Sequence, residues 1–365
     1  MQNLFVSYLA LAVSLVPIAC SSSSDDDGPG STSSSSASSG GSAGSGGTGG
    51  GDTGGAGGGG GAEPTWTQLG LDGDRVYFLA VLKTSPATVF AGTTQGSTDA
   101  GTFRTTDGGD TWPLTPGLEP DWPTGLAVAP MDDITLVDVG VEGIFRSIDG
   151  GATWAQTNYA GNSYGIVFDP GSANVWLADD LRVWRSVDSG LTWAVTPNTG
   201  LPTGMKSVQL PAFDGNKLYV AVGTEGVYAS SDNGDSFQPA NAGLPIGMDF
   251  ADVIGISAHV SRPGVVFAQT NGQGLYRTDD GGGSWSHVDT GSENTKYGAL
   301  LMDPSNPTTI YVSHDDTGLL RSTDDGATWT VIGPESVSVI SVDIDPVSGD
   351  VYAGTLGGGV WRFGD

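Results

Sequence analysis

The stretch Ser147-Ile148-Asp149-Gly150-Gly151-Ala152-Thr153-Trp154 decides the fold, because its pattern S/T-x-D-x-G-x-S/T-W/F occurs six times in the chain. The other copies run from Thr105 to Trp112, Ser186 to Trp193, Ser230 to Phe237, Thr278 to Trp285 and Ser322 to Trp329. Their aspartates (Asp107, Asp149, Asp188, Asp232, Asp280 and Asp324) are separated by 42, 39, 44, 48 and 44 residues. Constrained positions recurring at a near-constant interval mark a repeat architecture. Each copy reads as a hairpin turn. Asp accepts hydrogen bonds from backbone N–H groups a few residues on, Gly supplies the positive φ of a tight turn, and the aromatic packs between neighbouring sheets. The six aspartates are therefore expected to be structural rather than metal ligands or acid–base groups.

Working outward, a strand-like run precedes each turn, such as Gly143-Ile144-Phe145-Arg146-Ser147 or Gly274-Leu275-Tyr276-Arg277-Thr278, and the aromatic opens another. Two further runs complete the period. One ends in Asp-Pro, as in 165–170, 299–304 and 341–346, where Pro stops the strand. The next reads Val-Phe-Ala-Gly-Thr at 89–93 or Val-Tyr-Ala-Gly-Thr at 351–355. Four short antiparallel strands per repeat is the period of a propeller blade. A seventh third-strand run, Gly359-Val360-Trp361-Arg362, ends the chain without its turn, while Thr65-Trp66-Thr67-Gln68-Leu69 stands one period before Trp112. Pairing these two ends gives seven blades and leaves no open sheet edge. The fold class expected is all-β, with a single seven-bladed propeller of four-stranded antiparallel blades over 64–365.

The first sixty-odd residues read differently. Leu4 to Ala19 is an apolar run too short for a membrane span and suited to the core of an export signal. Its end, Pro17-Ile18-Ala19-Cys20, resembles a bacterial lipoprotein signal, in which a small residue precedes the cysteine that is lipidated. Residues 1–20 are thus expected to be a lipoprotein-type signal with Cys20 as the lipidation site; an ordinary cleaved export signal is the alternative. Residues 21–63 are dominated by Gly and Ser, bury too little apolar surface to order, and read as a flexible tether of roughly 35–40 Å reach. With Ser21 after the cysteine, the resemblance implies an outer-membrane or cell-surface location, with a periplasmic one open.

Composition removes several function classes. One cysteine excludes an intrachain disulfide, a multi-cysteine zinc site and an iron–sulfur cluster. Thirteen basic residues against 41 acidic ones, a net charge of −28, argue against nucleic acid, whose affinity rests on Lys and Arg contacts to phosphate. No cofactor or metal is expected, and Asp72-Gly73-Asp74 is too short for a calcium loop.

The repeats resemble those of the Asp-box (BNR) propellers, over essentially all of 64–365. That superfamily includes sialidases, xyloglucan-specific endoglucanases, sortilin-type receptors and photosystem II assembly factors. The resemblance implies that sites lie on the face opposite the aspartate turns, on the loops from strand two to three and from blade to blade. There the sequence places an acidic rim with aromatics. The candidate ligand-binding residues are Trp122, Asp180, Lys206, Asp249, Phe250, Lys296, Tyr297, His314 and Asp316; the same loops also carry Asp72, Asp74, Asp99, Glu119, Asp121, Asp138, Glu142, Tyr159, Tyr164, Asp179, Arg182, Glu225, Asn271 and Glu293. A sialidase needs three arginines to clamp a carboxylate. Arg104, Arg146, Arg185, Arg277, Arg321 and Arg362 share one repeat position and read as scaffold, leaving Arg75, Arg182 and Arg262. The endoglucanase resemblance falls on Tyr311-Val312-Ser313-His314-Asp315-Asp316-Thr317-Gly318, with Asp315 in the place of a catalytic carboxylate. Glycoside hydrolysis needs a second carboxyl group nearby, which the family supplies across a cleft between two propellers. The function expected is a surface-tethered, non-enzymatic, monomeric propeller that binds an extracellular protein or glycan and meets the membrane only through its N-terminal lipid. The alternative is a glycoside hydrolase acting on an extracellular polysaccharide.

Overall fold

Short apolar runs that alternate between two faces, each stopped by a glycine-bearing turn, cannot bury both faces within one sheet. They stack sheet on sheet. In the computed structural model they do so as seven antiparallel blades arranged in a ring. The structure describes residues 64–364 except 85–86, 95–99, 119–121, 131, 133–134, 142, 180, 204–207, 247–252, 260, 293–297 and 315–316, and without the side chains of Gln209 and Leu210. Blade 2 shows the pattern, with strands Pro123–Val128, Leu136–Gly140, Gly143–Ser147 and Ala155–Gln156 in that order from the inside outward.

The ring closes with strands from both ends of the chain. Thr65–Gly70 is the outer strand of blade 7 and pairs antiparallel with Val360–Gly364, with Trp66 opposite Phe363 and Gln68 opposite Trp361. The Trp66 and Phe363 rings lie 5.3 Å apart, and the Trp66 indole N–H donates to the Ile332 carbonyl of blade 6. Blade 1 departs from the four-stranded expectation. Its sheet has three strands (Val76–Leu82, Thr88–Thr93 and Gly101–Thr105), and the fourth is reduced to a bridge between Phe103 and Leu114. Pro113 lacks the N–H that a fuller ladder would use, although its carbonyl still accepts from Arg104 N and Thr115 N reaches Thr102 O.

Among the described residues the core is seven separate apolar clusters, and each straddles two neighbouring blades. Trp176 of blade 3, for example, packs on Phe213 of blade 4 with 5.1 Å between rings. The turn aromatics fill the wedge between their own blade and the preceding one. Trp154 joins Phe90 and Leu126, Trp193 joins Val137 and Phe168, and Trp329 joins Phe267 and Met302. This explains why the pattern ends in Trp or Phe, since that position carries the largest apolar area available per residue.

The arginine repeat position supplies a second, polar tie. Arg146 Nε donates to the Ser189 carbonyl, Arg185 Nη1 to that of Asn233, and Arg277 Nη1 to that of Asp325. Each acceptor is the residue after the aspartate in the next blade's turn. Blade 4 has Ala229 at this position, and the bond comes instead from Lys217 Nζ to Gly281 O at 3.0 Å. Arg262, a further cation on the aspartate-turn face, pairs through Nη2 with Asp325 Oδ2 at 2.9 Å.

Candidate ligand cleft

The aspartate turns are locally complete. In the turn of blade 2, Ser147 Oγ donates to Asp149 Oδ1 and accepts from Gly151 N; Asp149 Oδ1 accepts from Thr153 N and Oδ2 from the Thr153 hydroxyl. The same bonds recur at Asp107, Asp188, Asp232, Asp280 and Asp324. Hydrogen bonds from the threonine hydroxyl and backbone hold the Asp149 carboxyl down at about 2, and Asp107, Asp232, Asp280 and Asp324 likewise. Such a carboxylate resists protonation and is committed to holding its own turn.

The opposite face carries a cleft of about 520 Å³ between blades 2 and 3. One wall is the blade-to-blade loop 158–162, and the other is the loop between strands Val175–Ala178 and Val183–Ser186. Tyr159 is buried, with its hydroxyl donating to Asn162 O at 2.8 Å and its ring edge-on to Trp184, 5.0 Å between centroids. Asn158 spends its amide on blade 3, Oδ1 accepting from Trp193 N and Nδ2 donating to Trp193 O. Asp179 is held by three N–H groups: Oδ1 accepts from Leu181 N and Arg182 N at 2.8 and 2.6 Å, and Oδ2 from the Trp184 indole at 2.6 Å. The Arg182 guanidinium lies over the Trp184 ring, 5.1 Å from its centroid, with a long 3.7 Å approach to Asp179 Oδ2.

The sequence placed Tyr159, Asp179 and Arg182 on this face, and the structure brings them together. Trp122, 44% exposed, stands on the same face at the mouth of blade 2, its carbonyl accepting from Val141 N. His314, expected on a loop, is the last residue of strand Ile310–His314 and is buried, with Nε2 2.9 Å from Thr290 Oγ1. Asp180, Lys206, Asp249, Phe250, Lys296, Tyr297, Asp315 and Asp316 lie outside the described residues, as do Cys20, the signal and the tether. Trp184 was missed by sequence reasoning, because Phe145, Tyr228 and Tyr276 hold its position in other blades and it reads as scaffold. Among the described residues no group of three or more His, Cys, Asp or Glu is placed to hold a metal ion.

The sequence matches no protein-family profile and no curated protein. Solved structures do share its architecture. The Niastella koreensis GH74 enzyme aligns with TM-score 0.62 at 19% identity, over 82% of this chain and 53% of that one. YCF48 bound to D1 peptide aligns with TM-score 0.59 at 14% identity, over 83% and 97%. The extracellular domain of BT4673 from B. thetaiotaomicron aligns with TM-score 0.62 at 15% identity, over 82% and 40%. The chain thus spans about half the length of the GH74 enzyme. At these identities the likeness is one of fold, and by its fold this chain is a seven-bladed β-propeller.

Proposed function

We propose that the chain is an exported, surface-tethered propeller that binds a glycan, without turning it over, at the cleft between blades 2 and 3. The observation that carries this reading is the state of Asp179. Among the described residues it is the carboxylate lining the cleft, and three N–H groups hold it as a turn former, which favours recognition over service as nucleophile or general acid. What remains is recognition chemistry: two aromatic side chains, amides and one guanidinium in a concavity within the roughly 300–1,000 Å³ typical of small-ligand sites. The likeness to a GH74 enzyme and to an extracellular domain supports a carbohydrate-related, exported role. Isothermal titration of the full chain against a panel of plant and bacterial oligosaccharides is expected to show binding, with no reducing sugar released on overnight incubation.

A second reading is a glycoside hydrolase with Asp315 as the essential carboxylate. It draws on the likeness to the GH74 xyloglucanase of Xanthomonas campestris, at 19% identity, and on the Tyr311 to Gly318 sequence. Release of reducing sugar that Asp315→Asn abolishes would establish it over the first. The tether reading rests on Cys20, and Cys20→Ala is expected to move the chain from the membrane fraction to the soluble one. An unchanged membrane fraction would remove lipidation at this residue.

A further inference from the structure

We infer that the cleft between blades 2 and 3 reads a carboxylate on its glycan: Arg182, held over Trp184, engages a uronic-acid residue carried on an otherwise neutral saccharide. This rests on the recognition reading above and narrows its ligand.

The argument starts from charge. The chain carries 13 basic residues against 41 acidic ones. Several of the basic ones are spent on the ring itself: Arg146, Arg185, Arg277 and Lys217 tie one blade to the next, and Arg262 is paired with Asp325. Arg182 is placed differently. Its side chain is 47% exposed, and among the described residues its one ion pair is the long approach to Asp179, whose oxygens already accept three closer N–H groups. Its guanidinium N–H groups therefore face the cleft with hydrogen-bonding capacity to give.

Geometry then fixes what this cation can do. A cation–π contact, with the guanidinium carbon 5.1 Å from the ring centroid, holds Arg182 against Trp184, and that indole is itself fixed by Asp179 and by the edge of Tyr159. A guanidinium ordered before the ligand arrives loses less freedom on binding, and its planar fork matches a carboxylate through two parallel N–H···O bonds.

The whole-molecule field sets the limit on the other side. A net charge of −28 repels a polyanion at long range. At physiological salt that field is screened within roughly 8 Å. An isolated carboxylate on a neutral chain can reach Arg182 under those conditions, whereas a densely charged polymer meets repulsion along its length. The ligand class is therefore a sparsely acidic glycan rather than a polyuronate.

The test uses the full chain in calorimetric titration against three probes: a xylo-oligosaccharide bearing a single glucuronic-acid branch, the same oligosaccharide with its carboxyl reduced to the alcohol, and a short polyglutamate peptide. The acidic oligosaccharide is expected to bind roughly 10- to 100-fold more tightly than its reduced form, the range of a charge-assisted bidentate contact. Arg182→Met should erase that difference, so that the acidic form binds no more tightly than the reduced one, and Arg182→Lys should recover part of it. Equal binding of the acidic and reduced forms, insensitive to Arg182→Met, overturns the carboxylate inference and leaves glycan recognition standing. Binding of polyglutamate with no binding of either sugar overturns both.

Discussion

The interface between blades 5 and 6 and the interface between blades 7 and 1 are joined by the same hydrogen bond carried on different side chains. In the first, Ser257 Oγ accepts from Met302 N of the next blade at 3.1 Å. In the second, Asp343 Oδ2 accepts from Val81 N at 2.8 Å. The two acceptors hold one register position: Ser257 lies opposite Phe267 and Asp343 opposite Tyr352 on the neighbouring strand. A hydroxyl makes this bond without bringing a charge into the core. Asp343 brings one into the joint where the first and last blades meet. It is 5% exposed, and burial pushes its carboxyl up to about 7, with Asp345 adding to the rise and the N–H groups of Val81 and Ile344 opposing it. The comparison teaches that the ring's closing joint carries a buried carboxyl where the joint between blades 5 and 6 carries a hydroxyl at the same register position.

Exchanging the side chains breaks the comparison and carries the largest expected effect. The folded-state value of Asp343 lies above its ordinary 3.8, so folding favours the protonated form. The contribution is fully present below about pH 3.8 and is lost as pH rises through about 7. The loss is on the order of 4 kcal/mol by the usual conversion, an upper limit. Urea unfolding from pH 4 to pH 8 should show wild-type stability falling across this window. Asp343→Ser, which installs the blade 5 solution, should remove that decline. A parallel decline in both proteins would show that Asp343 does not set it. The turn aspartates work with the opposite sign. Their carboxyls are held at about 2, so what they contribute is present above the ordinary 3.8 and lost as pH falls toward 2. That limb should be the same in both proteins.

How far these features are legible in the sequence follows from their repetition. The aspartate turns, the seven blades and the closing strand at Trp66 can all be read beforehand, because each residue in them is demanded by a local geometry that returns every period. Arg146, Arg185 and Arg277 read as scaffold for the same reason, and their bonds to the next blade give that reading a mechanism. Asp343 is not legible in this way. In Ser341-Val342-Asp343-Ile344-Asp345-Pro346 it looks like one alternating polar residue of a strand, and only packing shows that its alternate face is buried against blade 1. The cleft falls between these cases. Its loops are predictable from topology, and Asp179 and Arg182 were placed on them. That Asp179 is consumed by three N–H groups depends on a loop conformation outside the repeat. Trp184 was hidden by the opposite effect, since it occupies a repeat position and borrows the appearance of scaffold.

The interface between blades 2 and 3 sharpens the comparison within a single joint, because its two ends differ. At the aspartate-turn end, Gly190 has φ +83°, and a Cβ there would stand 2.5 Å from Val137 Cγ2 of blade 2. At the cleft end, Leu181 is 43% exposed. Gly190→Ala forces a left-handed backbone on a residue that resists it and crowds a buried valine, and should cost about 3 kcal/mol of stability in urea unfolding. Leu181→Ala removes a side chain that is nearly half in water, and should stay within about 0.5 kcal/mol. Equal losses would mean that the cleft end is as tightly constrained as the turn end. A large loss at Gly190 alone would place the stability of this joint at the repeated turn and leave the other end able to vary with the ligand.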